Sequence, residues 1–125
     1  MTHEMKLRQE PFDCMVSGIK TIELRLYDEK RQLINIGDKI RFSLFGSLNH
    51  TMETRVVNLH RFNSFKDLFS TQLFDKCGWG ELTIEEAVEN MRQYYTEIEE
   101  RNYGVIGIEV CVTENKNTFE RGKNE

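Results

Sequence analysis

The sequence predicts one α+β domain in which a sheet of mixed strands curls into a barrel and is flanked by helices. Two features of its order predict this class: segments with strand patterns lie towards both ends of the chain, and helical patterns lie between the fourth and fifth strands. The third observation is size. A chain of 125 residues with eight Phe, four Tyr and one Trp can build one hydrophobic core but not two.

Five segments have the alternation or the short apolar run that is typical of strands. They are 3–8, 20–27, a segment with apolar residues at 40, 42 and 44, then 51–62 and 105–112. A turn at Gly37-Asp38 precedes the third strand, and Gly104 opens the fifth.

Three segments predict helices. The first starts at Pro11, a residue favoured at the first helical position, and the second is a short helix capped by Ser64. The third is the strongest, because Thr83 and Glu86 form a capping box and apolar residues then recur at helical spacing as far as Ile98. We therefore predict one long helix from Thr83 to Ile98.

The domain is expected to span residues 1–113. The remaining segment, 114–125, is polar and poorly periodic, which predicts a flexible C-terminal tail.

The charge pattern limits the partners. Net charge is −4, but residues 1–66 hold 11 Lys and Arg against 8 Asp and Glu, whereas 81–100 hold seven Glu and one Arg. We expect weak binding to duplex DNA, which depends on phosphate neutralisation, and one region of the surface that is more positive than the rest.

No apolar run approaches the roughly 20 residues of a membrane span, and the N-terminus lacks a signal-peptide core, so we expect a cytoplasmic protein without a membrane partner.

Neither cysteine nor histidine spacing indicates a metal site. Cys14, Cys77 and Cys111 include no CxxC pair, and the three histidines lie far apart in the sequence. We expect reduced cysteines, no metal and no cofactor.

The stretch SGIKTIELRLYDEK carries charges through an apolar strand. Alternation places Ile22, Leu24 and Leu26 on the core face, and Thr21, Glu23, Arg25 and Tyr27 on the other. Lys20 stands at the end of this strand, so an ammonium, a carboxylate and a guanidinium could line one polar pocket. The alternative is a solvated charge ladder on a half-buried strand, and spacing alone does not decide between them.

Three motifs resemble one family. GIKTIELR, residues 18–25, resembles the G-x-K-x-x-E-x-R signature of ASCH domains; INIGDKIRF, 34–42, and RNYGVIGI, 101–108, are similar to later family segments. The resemblance covers about residues 3–112. It implies a PUA-like β-barrel with a cleft lined by the signature residues, and a role in binding RNA or a modified nucleoside.

The resemblance also suggests an enzyme. Some small relatives deacetylate N4-acetylcytidine with a Lys, a Thr and a Glu; Lys20 matches their lysine, but Glu23 stands where they have the threonine. The alternative function is therefore a hydrolase, either such an amidohydrolase or a single-strand ribonuclease. Lys20 and Glu23 would be its catalytic residues, with Glu23 activating water and Lys20 or Arg25 stabilising the oxyanion. A third hypothesis is an interaction domain without small-molecule chemistry.

We expect three further residues near the cleft. Thr21 adjoins the lysine, Tyr103 stands at the entrance of the last strand, and Trp79 lies between two glycines. Trp79 could stack on a base or cover the core. The predicted ligand set is thus Lys20, Thr21, Glu23, Arg25, Tyr103 and Trp79, for RNA, a nucleotide or a nucleoside.

Overall fold

The computed structural model describes residues 1–117, and the predicted tail lies outside the described residues from 118 onwards. The strands are β1 (Thr2–Leu7), β2 (Ile22–Leu26), β3 (Lys39–Leu44), β4 (Ser47–Phe62) and β5 (Val105–Asn117). The α-helices are α1 (Gln9–Val16), α2 (Phe65–Phe69), α3 (Ile84–Met91) and α4 (Glu97–Tyr103). Short 3₁₀ helices occupy Arg31–Leu33 and Gln72–Lys76. β5 continues past the expected domain boundary at 113.

The five strands form one mixed sheet in the order β1-β3-β4-β5-β2. β1 and β3 are parallel, and the other neighbours are antiparallel. The register of β4 shifts between Glu53 and Thr54 and again between Val56 and Asn58. Because bulges bend and twist a strand, this 16-residue strand curls the sheet into a half-barrel.

The edge strands β1 and β2 are not neighbours in the sheet, and side chains from β2 and from the turn after it bind β1. Arg25 of β2 donates from Nη2 to the carbonyl of Lys6 at 2.8 Å, and Lys30 of the following turn donates from Nζ to the carbonyl of Glu4 at 3.1 Å. A barrel joined in this way leaves space between its edges for a cavity.

Two hydrophobic clusters form the core. One joins β1, β3, β4 and β5 to α1, and includes Phe12 and Phe42. The other packs β2 against α2 and α3, and includes Ile22, Phe65 and Phe69.

The predicted long helix is wrong. α3 ends at Met91, and α4 begins at Glu97 with its own capping box, in which the Thr96 side chain accepts from the Glu99 N–H and the Glu99 side chain accepts from the Thr96 N–H. Thr96 has the extended backbone of an N-cap, which interrupts the helix. Ile98, expected on the core stripe, is consequently 65% exposed.

The first helix also differs from its prediction. It begins at Gln9, two residues before Pro11. Proline is tolerated there because the N–H groups of a first helical turn have no acceptor within the helix.

Candidate ligand-binding site

A cavity of about 700 Å³ opens beside the two sheet edges. It is lined by a charged group from the β2 region, a glycine–tryptophan turn, two tyrosines after α3, and two cations at the end of β1. In that order these are Lys20, Glu23 and Arg25; Gly78 and Trp79; Tyr94 and Tyr95; Lys6 and Arg8.

Glu23 lies between two cations. One carboxylate oxygen, Oε1, is 3.3 Å from Lys20 Nζ, and the other, Oε2, is 2.7 Å from Arg25 Nε. Only 8% of the Glu23 side chain is exposed, and Lys20 is equally buried. The alternative of a solvated charge ladder is therefore wrong for this pair, because both side chains are buried. Hydrogen bonds join the charged groups to β1 and to the turn after the second 3₁₀ helix, and the helices cover the apolar face of β2.

The Lys20 ammonium donates to two backbone carbonyls and forms an ion pair with Glu23. Nζ donates to the carbonyl of Ile22 at 2.8 Å and to the carbonyl of Cys77 at 3.2 Å, and it lies 3.3 Å from Glu23 Oε1. A protonated lysine has three donors and no acceptor. Two of these donors bind backbone carbonyls, so Lys20 holds the Cys77 turn in place, and its charge balances that of Glu23.

Arg25 and Glu23 keep unused capacity. A guanidinium has five N–H donors, and Arg25 uses Nε on Glu23 and one Nη2 hydrogen on the carbonyl of Lys6. Glu23 Oε2 accepts from Arg25 and Oε1 is ion-paired with Lys20, while a carboxylate can accept about four bonds. This pair can thus both donate to and accept from a ligand.

The charges keep Glu23 ionised. Burial by itself would raise the pKa of Glu23, but the positive charges and hydrogen bonds of Arg25 and Lys20 outweigh it and hold the pKa below its ordinary value. Burial would likewise lower the pKa of Arg25, but Glu23 raises it above its ordinary value. Around neutral pH the pair is an anion bound to a cation.

The turn after the second 3₁₀ helix packs on the lysine stem. Gly78 has a φ of +81°, and a Cβ added there would lie 3.0 Å from Lys20 Cβ. A side chain at this position would therefore clash with the stem and strain the backbone. Cys77, whose carbonyl binds Lys20, is no nucleophile, because burial raises the pKa of its thiol to about 12.

Aromatic residues form another part of the lining. Trp79 packs edge-on against Phe69, with ring centroids 6.0 Å apart, and its buried indole N–H has no hydrogen-bond partner within residues 1–117. Tyr94 is 42% exposed and lies under the guanidinium of Arg8, 5.1 Å from ring centroid to Cζ. Tyr95 stacks on Phe65.

The structure brings together four of the six predicted ligand residues: Lys20, Glu23, Arg25 and Trp79 line the cavity. Thr21 does not line it; its backbone N–H donates to the Lys76 carbonyl, and its carbonyl accepts from Val110. Tyr103 lies in a separate depression.

The predicted ligand set did not include Gly78, Tyr94, Tyr95, Lys6 or Arg8. They come from segments far apart in the sequence, and only the Cys-Gly-Trp-Gly turn carries a local signal, a glycine pair around a tryptophan.

Within residues 1–117, no group of His, Cys, Asp and Glu is arranged to hold a metal ion. In that same part of the chain, no helix has the length and hydropathy needed to cross a bilayer.

The ASCH-domain family model matches residues 5–114, most of the chain. The chain belongs to the ASCH-domain family. The resemblance and the PUA-like α+β barrel that it predicted are both confirmed.

Solved structures agree with this assignment. The ASCH domain is 35% identical to hypothetical protein PH0355, with a TM-score of 0.81 over 90% of this chain and 100% of that one. It is 34% identical to protein PF0455 from Pyrococcus furiosus, with a TM-score of 0.71 over 91% and 99%. ASCH from Zymomonas mobilis shares 14% identity and the fold, with a TM-score of 0.65 over 98% and 77%. The comparison of this chain with curated proteins gave no match.

Proposed function

We propose that this ASCH domain binds RNA or a modified nucleoside by taking one base into the cavity, against Glu23 and Arg25. One observation carries the proposal: a buried carboxylate–guanidinium pair with unused donors and acceptors lies in the lining of an aromatic cavity.

The pair complements the edge of a nucleobase. Glu23 accepts and Arg25 donates, so a suitable ligand has an N–H group beside an acceptor atom on one planar edge. Cytosine, adenine and guanine all have such an edge. A base that uses both groups satisfies polar atoms that are otherwise buried with partial pairing, which favours binding.

The size and the aromatic lining agree with a base-sized ligand. Small-molecule sites usually have volumes of about 300–1,000 Å³, and this cavity has about 700 Å³. Tyr94 offers an exposed ring for stacking, which contributes about 1–3 kcal/mol per base in single-strand binders. The unpaired indole N–H of Trp79 is one more donor in a cavity-lining residue.

The same geometry argues against hydrolysis by Lys20 and Glu23. Two of the three N–H donors of Lys20 are bound to backbone carbonyls and its charge is balanced by Glu23, which makes it poorly suited to stabilise an oxyanion. A general base works best with a pKa near the operating pH, whereas the pKa of Glu23 is held below its ordinary value. Binding is therefore favoured over an amidohydrolase or a ribonuclease in this cleft.

The test compares two carboxylates by substitution with glutamine. Glu23→Gln removes the acceptor in the cavity, and Glu109→Gln is the matched control, since Glu109 is also ion-paired, with His60 at 2.8 Å, but does not line the cavity. Binding of cytidine and N4-acetylcytidine is measured by calorimetry, and binding of a fluorescein-labelled single-stranded RNA by anisotropy. Chromatography of the same mixtures detects turnover.

We expect Glu23→Gln to weaken binding about tenfold to a hundredfold, the usual effect of losing a hydrogen bond to a charged group. Glu109→Gln should leave it unchanged. Tyr94→Ala provides a second variant, because an exposed ring can be removed without disturbing the charge network; we expect about tenfold weaker binding. Unchanged affinity in both cavity variants would refute the proposal, and turnover that Glu23→Gln abolishes would favour the hydrolase.

A further inference from the structure

A second depression, of about 640 Å³, lies beyond the end of β2. Two cations, two tyrosines and two amides belong to its lining: Arg61 and Arg101, Tyr27 and Tyr103, Asn63 and Asn102. No carboxylate is among the lining residues that the structure describes. The depression is therefore positive, in a protein whose net charge is −4.

Arg61 is held in place by stacking. Its guanidinium carbon lies 3.9 Å from the ring centroid of Tyr27, a cation–π contact that fixes the plane of the guanidinium. Arg61 forms no ion pair within residues 1–117, so its N–H donors remain free at a fixed position. A fixed guanidinium loses less conformational entropy on binding an anion than a mobile one.

Arg101 adds a second free cation. Among the described residues, Arg101 forms no ion pair. The arginines that do form one are Arg25, Arg31, Arg41 and Arg92. Asp28, the acid next to Tyr27 in sequence, is neutralised by Arg31 at 3.2 Å. No carboxylate in the lining therefore competes for the two arginines. The N–H groups of a guanidinium can donate two parallel hydrogen bonds to the oxygens of a phosphate.

The cavity and the depression have lining residues that are close in sequence, Arg25 in the first and Tyr27 in the second. Two residues of extended chain span about 7 Å at the Cα level. The backbone N–H of Tyr27 donates to the Gly104 carbonyl at 3.0 Å, which keeps this end of β2 in line with β5. A strand of nucleic acid with a base at Arg25 would bring a following phosphate to the stacked arginine.

We propose that this depression binds a backbone phosphate of single-stranded RNA whose base occupies the cavity. The inference rests on the proposed function and narrows its ligand to an oligonucleotide, of which a nucleoside such as cytidine would occupy the cavity alone. Base contacts in the cavity would select the residue, while phosphate contacts in the depression would supply affinity and orientation.

The test uses two double variants of equal charge. Arg61→Gln/Arg101→Gln removes both cations of the depression, and Arg55→Gln/Lys66→Gln removes two exposed cations that do not line it. Anisotropy with fluorescein-labelled single-stranded RNA is measured from low to high salt, and calorimetry with cytidine reports the cavity alone.

We expect the depression variant to bind RNA about tenfold more weakly than the control, because it can no longer form charge-assisted hydrogen bonds to phosphate. The slope of log K against log salt should fall by about 0.7 for each phosphate that the variant no longer neutralises. Cytidine affinity should not change. Equal RNA binding by the two double variants would overturn the inference, as would wild-type protein that binds cytidine but not RNA. If Glu23→Gln instead binds both ligands like wild type, the base site fails, and the double variants still decide the phosphate site.

Discussion

Replacing Glu23 by Gln should destabilise the fold strongly. The change removes the negative charge between Lys20 and Arg25, whose side chains are only 7% and 16% exposed. Breaking a buried ion pair from one side typically costs about 3–5 kcal/mol, because the remaining charge has no compensation. Domains of this kind are stable by about 5–15 kcal/mol, so we expect the free energy of unfolding to fall by a large fraction.

Urea unfolding, followed by tryptophan fluorescence and circular dichroism, measures this loss. The control is Glu109→Gln, at a more exposed pair, where we expect a change of about 1 kcal/mol or less. The triple variant Lys20→Met/Glu23→Leu/Arg25→Met should recover part of the stability, since it leaves no buried charge. If Glu23→Gln costs less than about 1 kcal/mol, the same as the exposed pair, the three groups are not energetically coupled as the distances imply.

Three other predictions concern unfolding at low pH, the packing of Gly78 on Lys20, and the N-cap of α4. The pKa of Glu23 is lowered in the fold, so its stabilising effect is complete above roughly pH 5 and is lost as the pH falls through the folded-state pKa; unfolding measured from pH 7 downwards should show a smaller loss in Glu23→Gln than in wild type. Gly78→Ala should cost more than Gly80→Ala in urea unfolding, because both have positive φ but only the first would contact the Lys20 stem; a difference of about 1 kcal/mol or more is expected, and equal costs would contradict the packing argument. Thr96→Ala removes the cap of α4 and should cost about 0.5–2 kcal/mol in thermal or chemical unfolding, whereas no loss would mean that the cap does not hold the helix.

The local sequence pattern was sufficient to predict most of the helices and strands. The five predicted strands all occur, and the caps at Ser64 and Thr83 form as expected. The error at Thr96 was avoidable, since Thr96 and Glu99 repeat the spacing of the first capping box. Continuous apolar spacing concealed this start signal, because Tyr95 and Ile98 fit a helical stripe whether or not the helix is interrupted.

The lining of the candidate site could be predicted only in part from the local sequence pattern. Strand alternation placed Glu23 and Arg25 on one side of β2, and it placed Thr21 there too. Thr21 nevertheless lies away from the cavity, where its backbone pairs with Lys76 and Val110. Alternation gives the direction in which a side chain leaves its own strand, but not what covers that side.

The order and spacing of residues thus determined the fold class, the strand content, the family and the adjacency of the three charged groups, since these depend on neighbours along the chain. Only the tertiary structure decided that these groups are buried, that the ammonium of Lys20 donates to two backbone carbonyls, and that Trp79 and Tyr94 line the same cavity. The reason is physical. Burial and hydrogen-bond partners come from distant segments, here the Cys77 carbonyl and the Lys6 carbonyl, whose positions are set by how the curled sheet brings its two edges together.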